Sequence, residues 1–444
     1  MMKPIHNISI FGTSSDAGKS TVTFLIGRIL QELGYRVTPF KAQNVSNNSK
    51  VCSDGGEIAV AQYFQADVLG VEQTYHLNPV LLKSSSGSMA SLIVEGKVVT
   101  NKNVREYYRD LDLLKPAVNR CFKYLDKRYD CVICEGAGSP VELNLMDKDL
   151  SNIYMADEFN TKIILVADIQ KGGVFASIWG VYNLLPQKLR DNVIGVIVNK
   201  FQGDMSLFDE GVKIIEQRFN IPVLGVLPYK PFNLGFEDSA SLQNFTQNCK
   251  NATKKVAVIA YPYMSNYNDF EPLIADDDIC LEFINSDVNL DKYDLVILPG
   301  SKLVIKDLLW LKNLSLFEQL KIRAKNHKNI LGICGGYQMM FENIIDNELI
   351  EVEVPTSIQA LGFIDDDIVF QKEKILKTRG ELFEIHHGIS KKYPLEYQNK
   401  NIKGTFNHGL FNDNKFKIHK ERTINDFVNT MKNHLDVKLI MNLI

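Results

Sequence analysis

Short, almost wholly apolar runs recur along the first half of the chain, each followed by a longer stretch in which apolar positions return every three or four residues. Residues 8–11, 36–40, 130–134, 162–167, 193–198 and 223–227 are such runs. A strand covered on both faces reads as a continuous apolar run, so these are expected as strands of a parallel sheet with helices on either side. At about 238–255 the composition turns polar, and a second alternation begins, with strands expected at 256–260, 294–298 and 329–333. The pattern predicts an α/β protein of two domains, 1–240 and 255–444, joined by a linker at 241–254.

At 444 residues and 45% hydrophobic content, two sizeable cores can be built. The charge balance is close to even, 50 Lys and Arg against 53 Asp and Glu, which excludes a polyanion-binding role and leaves no reason to expect nucleic acid or a membrane surface as partner. The first strand begins by Ile8 and leads straight to Gly12, leaving no room for a signal peptide, so a cytoplasmic location is expected. Seven cysteines scattered along such a length describe no disulfide framework. Cys131 and Cys134 form a C-x-x-C, but they lie in an expected strand, where positions three apart face opposite ways.

The first apolar run opens onto Gly12-Thr13-Ser-Ser-Asp-Ala-Gly18-Lys19-Ser20, and a helix is expected over 21–33, before Gly34. A loop of this kind turns backbone N–H groups toward phosphates, puts Lys19 on the β and γ phosphates of ATP and offers the Ser20 hydroxyl to Mg²⁺. A glycine-rich turn without function is the bland alternative, and Lys and Ser in register after a strand weigh against it. Glu135 and Asp168 end successive strands, where ligands meet an open α/β sheet, and Asp54 lies in a turn-rich Ser-Asp-Gly-Gly-Glu; all three are candidate metal carboxylates. Asn199, at the end of another strand, is placed to read an adenine edge.

In the second half, Leu-Gly-Ile-Cys-Gly-Gly-Tyr-Gln at 331–338 sets a cysteine at a strand-to-helix turn, where backbone N–H groups favour a thiolate that can attack an amide carbon. The strand ending in Gly300-Ser301 and the glycine after the cysteine, Gly335, can supply an oxyanion hole. A histidine base is then required, and His386, His387 and His408 are the candidates. His408 is preferred for its place in Gly-Thr-Phe-Asn-His-Gly; His386 and His387 are adjacent strand positions, so at most one is expected to face the thiol. A nucleotide loop and an amide-cleaving thiol on one chain point to a glutamine-dependent ligase.

The long spacing between the loop glycines resembles the dethiobiotin-synthetase-like branch of P-loop proteins. Lys41-Ala-Gln-Asn44, Asp54-Gly-Gly-Glu-Ile58, Asn78-Pro-Val-Leu-Leu-Lys83, Glu135-Gly-Ala-Gly-Ser-Pro140, Lys171-Gly-Gly-Val-Phe-Ala176, Val198-Asn-Lys-Phe201, Gly332-Ile-Cys-Gly-Gly-Tyr-Gln338 and Gly404-Thr-Phe-Asn-His-Gly-Leu-Phe411 extend the likeness. Together they resemble the cobyric acid synthase family of the cobalamin pathway. The resemblance implies a dethiobiotin-synthetase-like parallel-sheet domain followed by a class I glutamine amidotransferase-like α/β domain. It implies Cys334 as nucleophile with His408, Ser20, Asp54 and Glu135 as Mg²⁺ ligands, and Asn199 at adenine. It further implies ATP and glutamine as substrates, no prosthetic group, and amidation of the b, d, e and g carboxylates of adenosylcobyrinic acid a,c-diamide. Lys41, Asn44 and Lys83 are candidates for holding that corrinoid. Two departures stand out: Leu410 occupies the position of the usual third triad member, and Leu382-Phe-Glu-Ile-His386 replaces Gly-Tyr-Glu-Ile-His. The neighbouring readings are a cobyrinic acid a,c-diamide synthase, a cell-wall amidating subunit, an inactive glutaminase-like scaffold and a ParA or MinD-like ATPase switch. The absence of a second lysine at 13–17 argues against the last.

Overall fold

The computed structural model of the chain describes residues 3–84, 89–103, 111–232, 234, 249 and 252–444. Most of the expected linker, 241–254, lies outside the described residues. The apolar runs of the first half are strands β1 (Ile8–Gly12), β2 (Val37–Phe40), β9 (Cys131–Glu135), β10 (Lys162–Asp168), β11 (Val193–Phe201) and β12 (Val223–Pro228). They form one parallel sheet in the order β12-β11-β10-β1-β9-β2. Crossovers on both faces bury it, which is why its strands carry no polar alternation. Cys131 and Cys134 are both buried in β9, and loss of water pushes the Cys131 thiol up to about 12, as suits an inert core residue.

The polar-rich stretch between β2 and β9 holds strands that continuous apolar runs do not mark. These are β3 (Gln43–Val45), β4 (Ser49–Val51), β5 (Glu57–Ala59), β6 (Val80–Ser84), β7 (Met89–Val94) and β8 (Lys97–Asn103). β3-β6-β7-β8 make a small separate sheet, and β4 and β5 a hairpin. The hairpin faces the second half of the chain: Val51 packs with Phe383 and Ile385.

The second parallel sheet runs β14-β13-β15-β16-β22-β21, from β13 (Lys254–Ile259), β14 (Ile279–Ile284), β15 (Leu295–Leu298), β16 (Asn329–Ile333), β21 (Glu396–Asn399) and β22 (Ile402–Thr405), with β21 antiparallel at its edge. A further mixed sheet is built from β17 (Asn343–Asp346), β18 (Thr356–Gln359), β19 (Ile368–Arg379), β20 (Leu382–Ile389) and β23 (Asn407–His408). Beyond it the helices Asn414–Lys432 and Val437–Leu443 cross back to the first unit. There Phe427 meets Phe24 and Phe232, and Val428, Met431 and Ile440 join the same core. The two halves are therefore closed against each other by apolar packing as well as by the β4–β5 hairpin.

The cysteine pattern held one surprise: Cys249 and Cys280 are disulfide-bonded. The chain returns beside β14 just before β13, with Thr253 N–H donating to Asp278 O at 2.9 Å, and this juxtaposition across 31 residues cannot be read from spacing. Among the described residues no helix is long and apolar enough to cross a membrane.

Candidate active site

β1 ends at Gly12, and the loop after it curls over its own lysine, with Lys19 Nζ donating to Ser14 O at 3.3 Å. Gly18 starts helix α1 (Lys19–Glu32) at φ 99°, and a β-carbon there would lie 2.1 Å from Asn199 Nδ2, so only glycine fits. Ser20 Oγ donates to Glu135 Oε1 at 2.8 Å, which brings the expected hydroxyl and carboxylate together. Lys41 Nζ reaches the same oxygen at 2.8 Å, and Gln65 Nε2 donates to Glu135 Oε2 at 2.5 Å. Lys19, Ser20, Lys41, Asn44 and Glu135 border one cavity.

Asp54, Asn199, Lys83 and Asp168 lie outside that wall. Asp54 is not in that wall; its Oδ1 accepts from Gly56 N–H at 2.9 Å and its Oδ2 from Tyr75 N–H at 3.1 Å, so its carboxylate closes a turn. Asn199 uses its amide on the protein, donating to Ala17 O at 2.9 Å and accepting from Lys200 N–H at 2.9 Å, and so braces the phosphate loop. Lys83 is buried away from the phosphate loop, on the wall of the thiol cavity. Asp168 is held by Lys200 Nζ at 2.9 Å and by Gln170 N–H.

Glu57 joins the two halves. It is fully buried and accepts from Lys83 of its own unit at 2.9 Å and from Lys374 of β19 at 2.8 Å. Burial alone would raise this carboxyl, but Lys374 and Lys83 outweigh it and hold Glu57 far below the ordinary carboxylate range. Glu57→Ala leaves two buried ammonium groups without their counter-charge and is expected to cost about 3–5 kcal/mol of stability. Calorimetric unfolding checks this, and an unchanged Tm would contradict it.

Cys334 follows β16 and caps the short helix Gly335–Gln338 with φ 48° and ψ −103°, a strained elbow. A β-carbon on Gly335 would lie 2.6 Å from Ser301 N, and one on Gly300 would lie 2.9 Å from His408 Cε1. The two glycine turns thus press the Ser301 N–H, the elbow and the histidine together. Ser301 Oγ in turn donates to the buried Asp307 at 2.5 Å, fixing its turn. His408 is fully buried and stacked on Phe383 with ring centroids 4.9 Å apart. Burial opposes an imidazolium there, yet Asp269 and then Cys334 outweigh it and raise His408 to about 10.

Asp269 is the residue that sequence reasoning missed. Its Oδ2 lies 2.6 Å from His408 Nδ1, and its Oδ1 accepts from Gly409 N–H at 2.9 Å. His386 and His387 both border the thiol cavity, against the expectation that at most one would. The pairing of β19 with β20 is irregular between Phe370 and Ile375, so simple alternation fails there. His386 Nδ1 hydrogen-bonds Gly388 O at 2.8 Å, while loss of water and then Lys374 hold His387 down at about 3. Lys302, Lys374 and Glu351 complete the charged wall.

A P-loop sheet joined to an elbow cysteine with a His–Asp pair defines a glutamine-hydrolysing amidotransferase that carries its own nucleotide site. Residues 8–233 match the CobQ/CobB/MinD/ParA nucleotide binding domain, and residues 255–416 match the CobB/CobQ-like glutamine amidotransferase domain. Over 99% of both chains this one is 61% identical to the cobyric acid synthase of Acinetobacter baylyi. It is 35% identical to that of Prochlorococcus marinus over 98% of both, and 37% identical to that of Clostridium acetobutylicum over 93% of this chain and 89% of the relative. The chain belongs to the cobyric acid synthase family, whose members are glutamine amidotransferase ligases of cobalamin biosynthesis.

Proposed function

We propose that the chain converts the b, d, e and g carboxylates of adenosylcobyrinic acid a,c-diamide to amides, with ATP as activator and glutamine as nitrogen donor. The observation that carries this reading is the thiol cavity. Its wall is shared by Cys334, His408 and Ser301 of the amidotransferase unit and by Asn47 and Lys83 of the nucleotide unit, so the two chemistries meet at one seam. Domains at 1–240 and 255–444 would divide the labour, with 241–254 between them.

In the amidotransferase half, the Cys334 thiolate attacks the glutamine amide carbon. The Ser301 and Gly335 N–H groups stabilise the oxyanion, with Gly300 shaping the turn beside them. His408 passes its proton to the departing nitrogen, ammonia leaves, and water cleaves the thioester to glutamate. In the nucleotide half, a substrate carboxylate oxygen attacks the γ-phosphorus and ADP departs. Ammonia then displaces phosphate from the acyl phosphate to give the amide. Gly12, Thr13, Gly18 and Lys19 would cradle the phosphates.

Ser20 and Glu135 offer adjacent hard oxygen donors, a set that suits Mg²⁺ completed by phosphate oxygens and water. Among the described residues no group of three or more His, Cys, Asp or Glu is gathered as a metal site. When bound there, Mg²⁺ neutralises charge on the transferring phosphoryl group. Lys41 pairs with Glu135 and, with Asn44, borders the same cavity, which supports the reading that the two would meet the substrate carboxylate there; Asn44 is itself held by Gln62 Oε1 at 2.9 Å and Val45 N–H at 2.8 Å.

The test is the mass of the corrinoid after incubation with Mg-ATP, glutamine and the a,c-diamide. Stepwise replacement of hydroxyl by amino groups at the remaining acids is expected. ATP turnover over an unchanged corrinoid would return the chain to the a,c-diamide synthase, cell-wall amidating or switch readings.

A further inference from the structure

Two side chains of the thiol cavity carry charge that the protein itself does not answer. Lys302 and Glu351 both border the cavity beside Cys334 and Ser301. Among the described residues no hydrogen bond or ion pair ends on Lys302 Nζ, and no ion pair ends on Glu351. The other two lysines of that wall, Lys83 and Lys374, share the single carboxylate of Glu57 at 2.9 and 2.8 Å and have nothing to spare for Glu351. Glu351 is fixed instead by the start of the helix Val304–Lys312, its Oε2 accepting from Ile305 N–H at 2.9 Å.

Both groups are driven toward their neutral forms. Loss of water, then Lys374 and Lys83, push Lys302 down to about 7, and burial pushes Glu351 up to about 8 against the Ile305 and Val304 N–H groups. A contacting pair would drive each other the opposite way. The cavity therefore suits a ligand that brings one anion and one cation together.

Position says which end of a ligand the two meet. Lys302 directly follows Ser301, and its backbone N–H is fixed on Tyr263 O at 2.9 Å; Ile305, which holds Glu351, lies three residues further on. A side-chain amide placed on Cys334 and the Ser301 N–H leaves its main-chain end a few bonds away. In free glutamine that end is a zwitterion, a carboxylate and an ammonium on one carbon. A corrinoid carboxylate would answer Lys302 and leave Glu351 unmatched, and glutamine inside a peptide, with both groups tied up as amides, would answer neither.

We propose that Lys302 and Glu351 are specificity-determining residues for the nitrogen donor, Lys302 binding the α-carboxylate and Glu351 the α-ammonium of free glutamine. Each contact is a charge-assisted hydrogen bond in a site short of water. The pair admits the free amino acid and turns away other primary amides, among them the side-chain amides of the corrinoid product. This rests on the reading of Cys334 as the glutamine nucleophile.

The test follows the acid that the full chain releases from three amides in the presence of Mg-ATP and the a,c-diamide. These are glutamine, glutaramate, which lacks only the α-amino group, and 4-aminobutanamide, which lacks only the α-carboxylate. Wild-type kcat/KM is expected to fall about 10³-fold or more for each analogue, because a buried charge is left unpaired. Lys302→Met is expected to raise the glutamine KM and to shrink the preference over 4-aminobutanamide to about 10-fold or less, while the preference over glutaramate stays. Glu351→Gln is expected to do the reverse, and an unchanged melting temperature separates a binding defect from misfolding. A folded variant that keeps both preferences, or loses both together, overturns the inference. If neither variant folds, the wild-type chain decides: rejection of both analogues supports the inference, and hydrolysis of either within about 10-fold of glutamine overturns it. A wild-type chain that leaves glutamine intact removes the nucleophile reading and this assignment together, whereas glutamine hydrolysis with unchanged preferences in both variants removes this assignment alone.

Discussion

Cys334→Ser is expected to lower glutamine-dependent amide formation by about 10⁴-fold or more while leaving ammonia-dependent formation near the wild-type rate. A serine hydroxyl fits the elbow, since Cys334 is 5% exposed and held by its backbone, with its N–H on Thr405 O at 2.8 Å. What is lost is the nucleophile: a serine oxygen attacks an amide carbon far less readily than a cysteine sulfur. The phosphate loop is untouched, because Lys19, Ser20 and Glu135 belong to another sheet and another cavity. Labelled amide nitrogen in glutamine and, separately, labelled ammonium distinguish the two routes in one mass measurement. Parallel loss of both would mean that the thiol has a structural role in the nucleotide half.

The parallel sheets were legible because burial on both faces leaves a run of Val, Ile and Leu that nothing else explains, as in β10 and β15. The phosphate loop and the cysteine elbow were legible because each is a contiguous segment whose backbone geometry dictates its residues. The β3–β8 insertion was not, because most of its strands are short and mix polar with apolar residues, and its β4–β5 hairpin rests on the second half of the chain. Glu57 illustrates the limit: locally it is an acid in a glycine-rich turn, and only the arrival of Lys374, 317 residues along the chain, makes it a buried counter-charge. The partners of Lys83 were hidden for the same reason. Burial pushes this lysine down to about 8, against the pull of Glu57. Asp54 looked like a metal ligand by resemblance, but its place in the turn uses both carboxylate oxygens on backbone N–H groups.

The third triad member was hidden by the same distance effect, and its replacement gives the second large expected result. Asp269→Asn is expected to reduce the kcat for glutamine hydrolysis by about 10³ to 10⁴-fold, with little change in glutamine KM and none in ammonia-dependent synthesis. Leu410 holds the usual position of that partner, yet the carboxylate lies 139 residues upstream, in the short helical turn Tyr267–Phe270 beyond β13. Ser-Asn-Tyr-Asn-Asp-Phe following a strand was the available signal, a cluster of turn-forming polar residues at a strand's carboxyl end. Asp269 works through both oxygens, one fixing Gly409 N–H and with it the chain direction at His408, the other accepting the Nδ1 proton. An asparagine that keeps its oxygen on Gly409 must turn its NH₂ toward Nδ1. The imidazole then carries its proton on Nε2, the wrong nitrogen to receive one from Cys334. Support for the imidazolium is lost as well, and burial, which opposes the charge, is left unbalanced. Side-chain volume is almost unchanged, so a chain that retains ammonia-dependent activity and its melting temperature localises the defect to proton transfer. A kcat within about 10-fold of wild type would remove Asp269 from the catalytic set and leave Cys334 and His408 as a dyad.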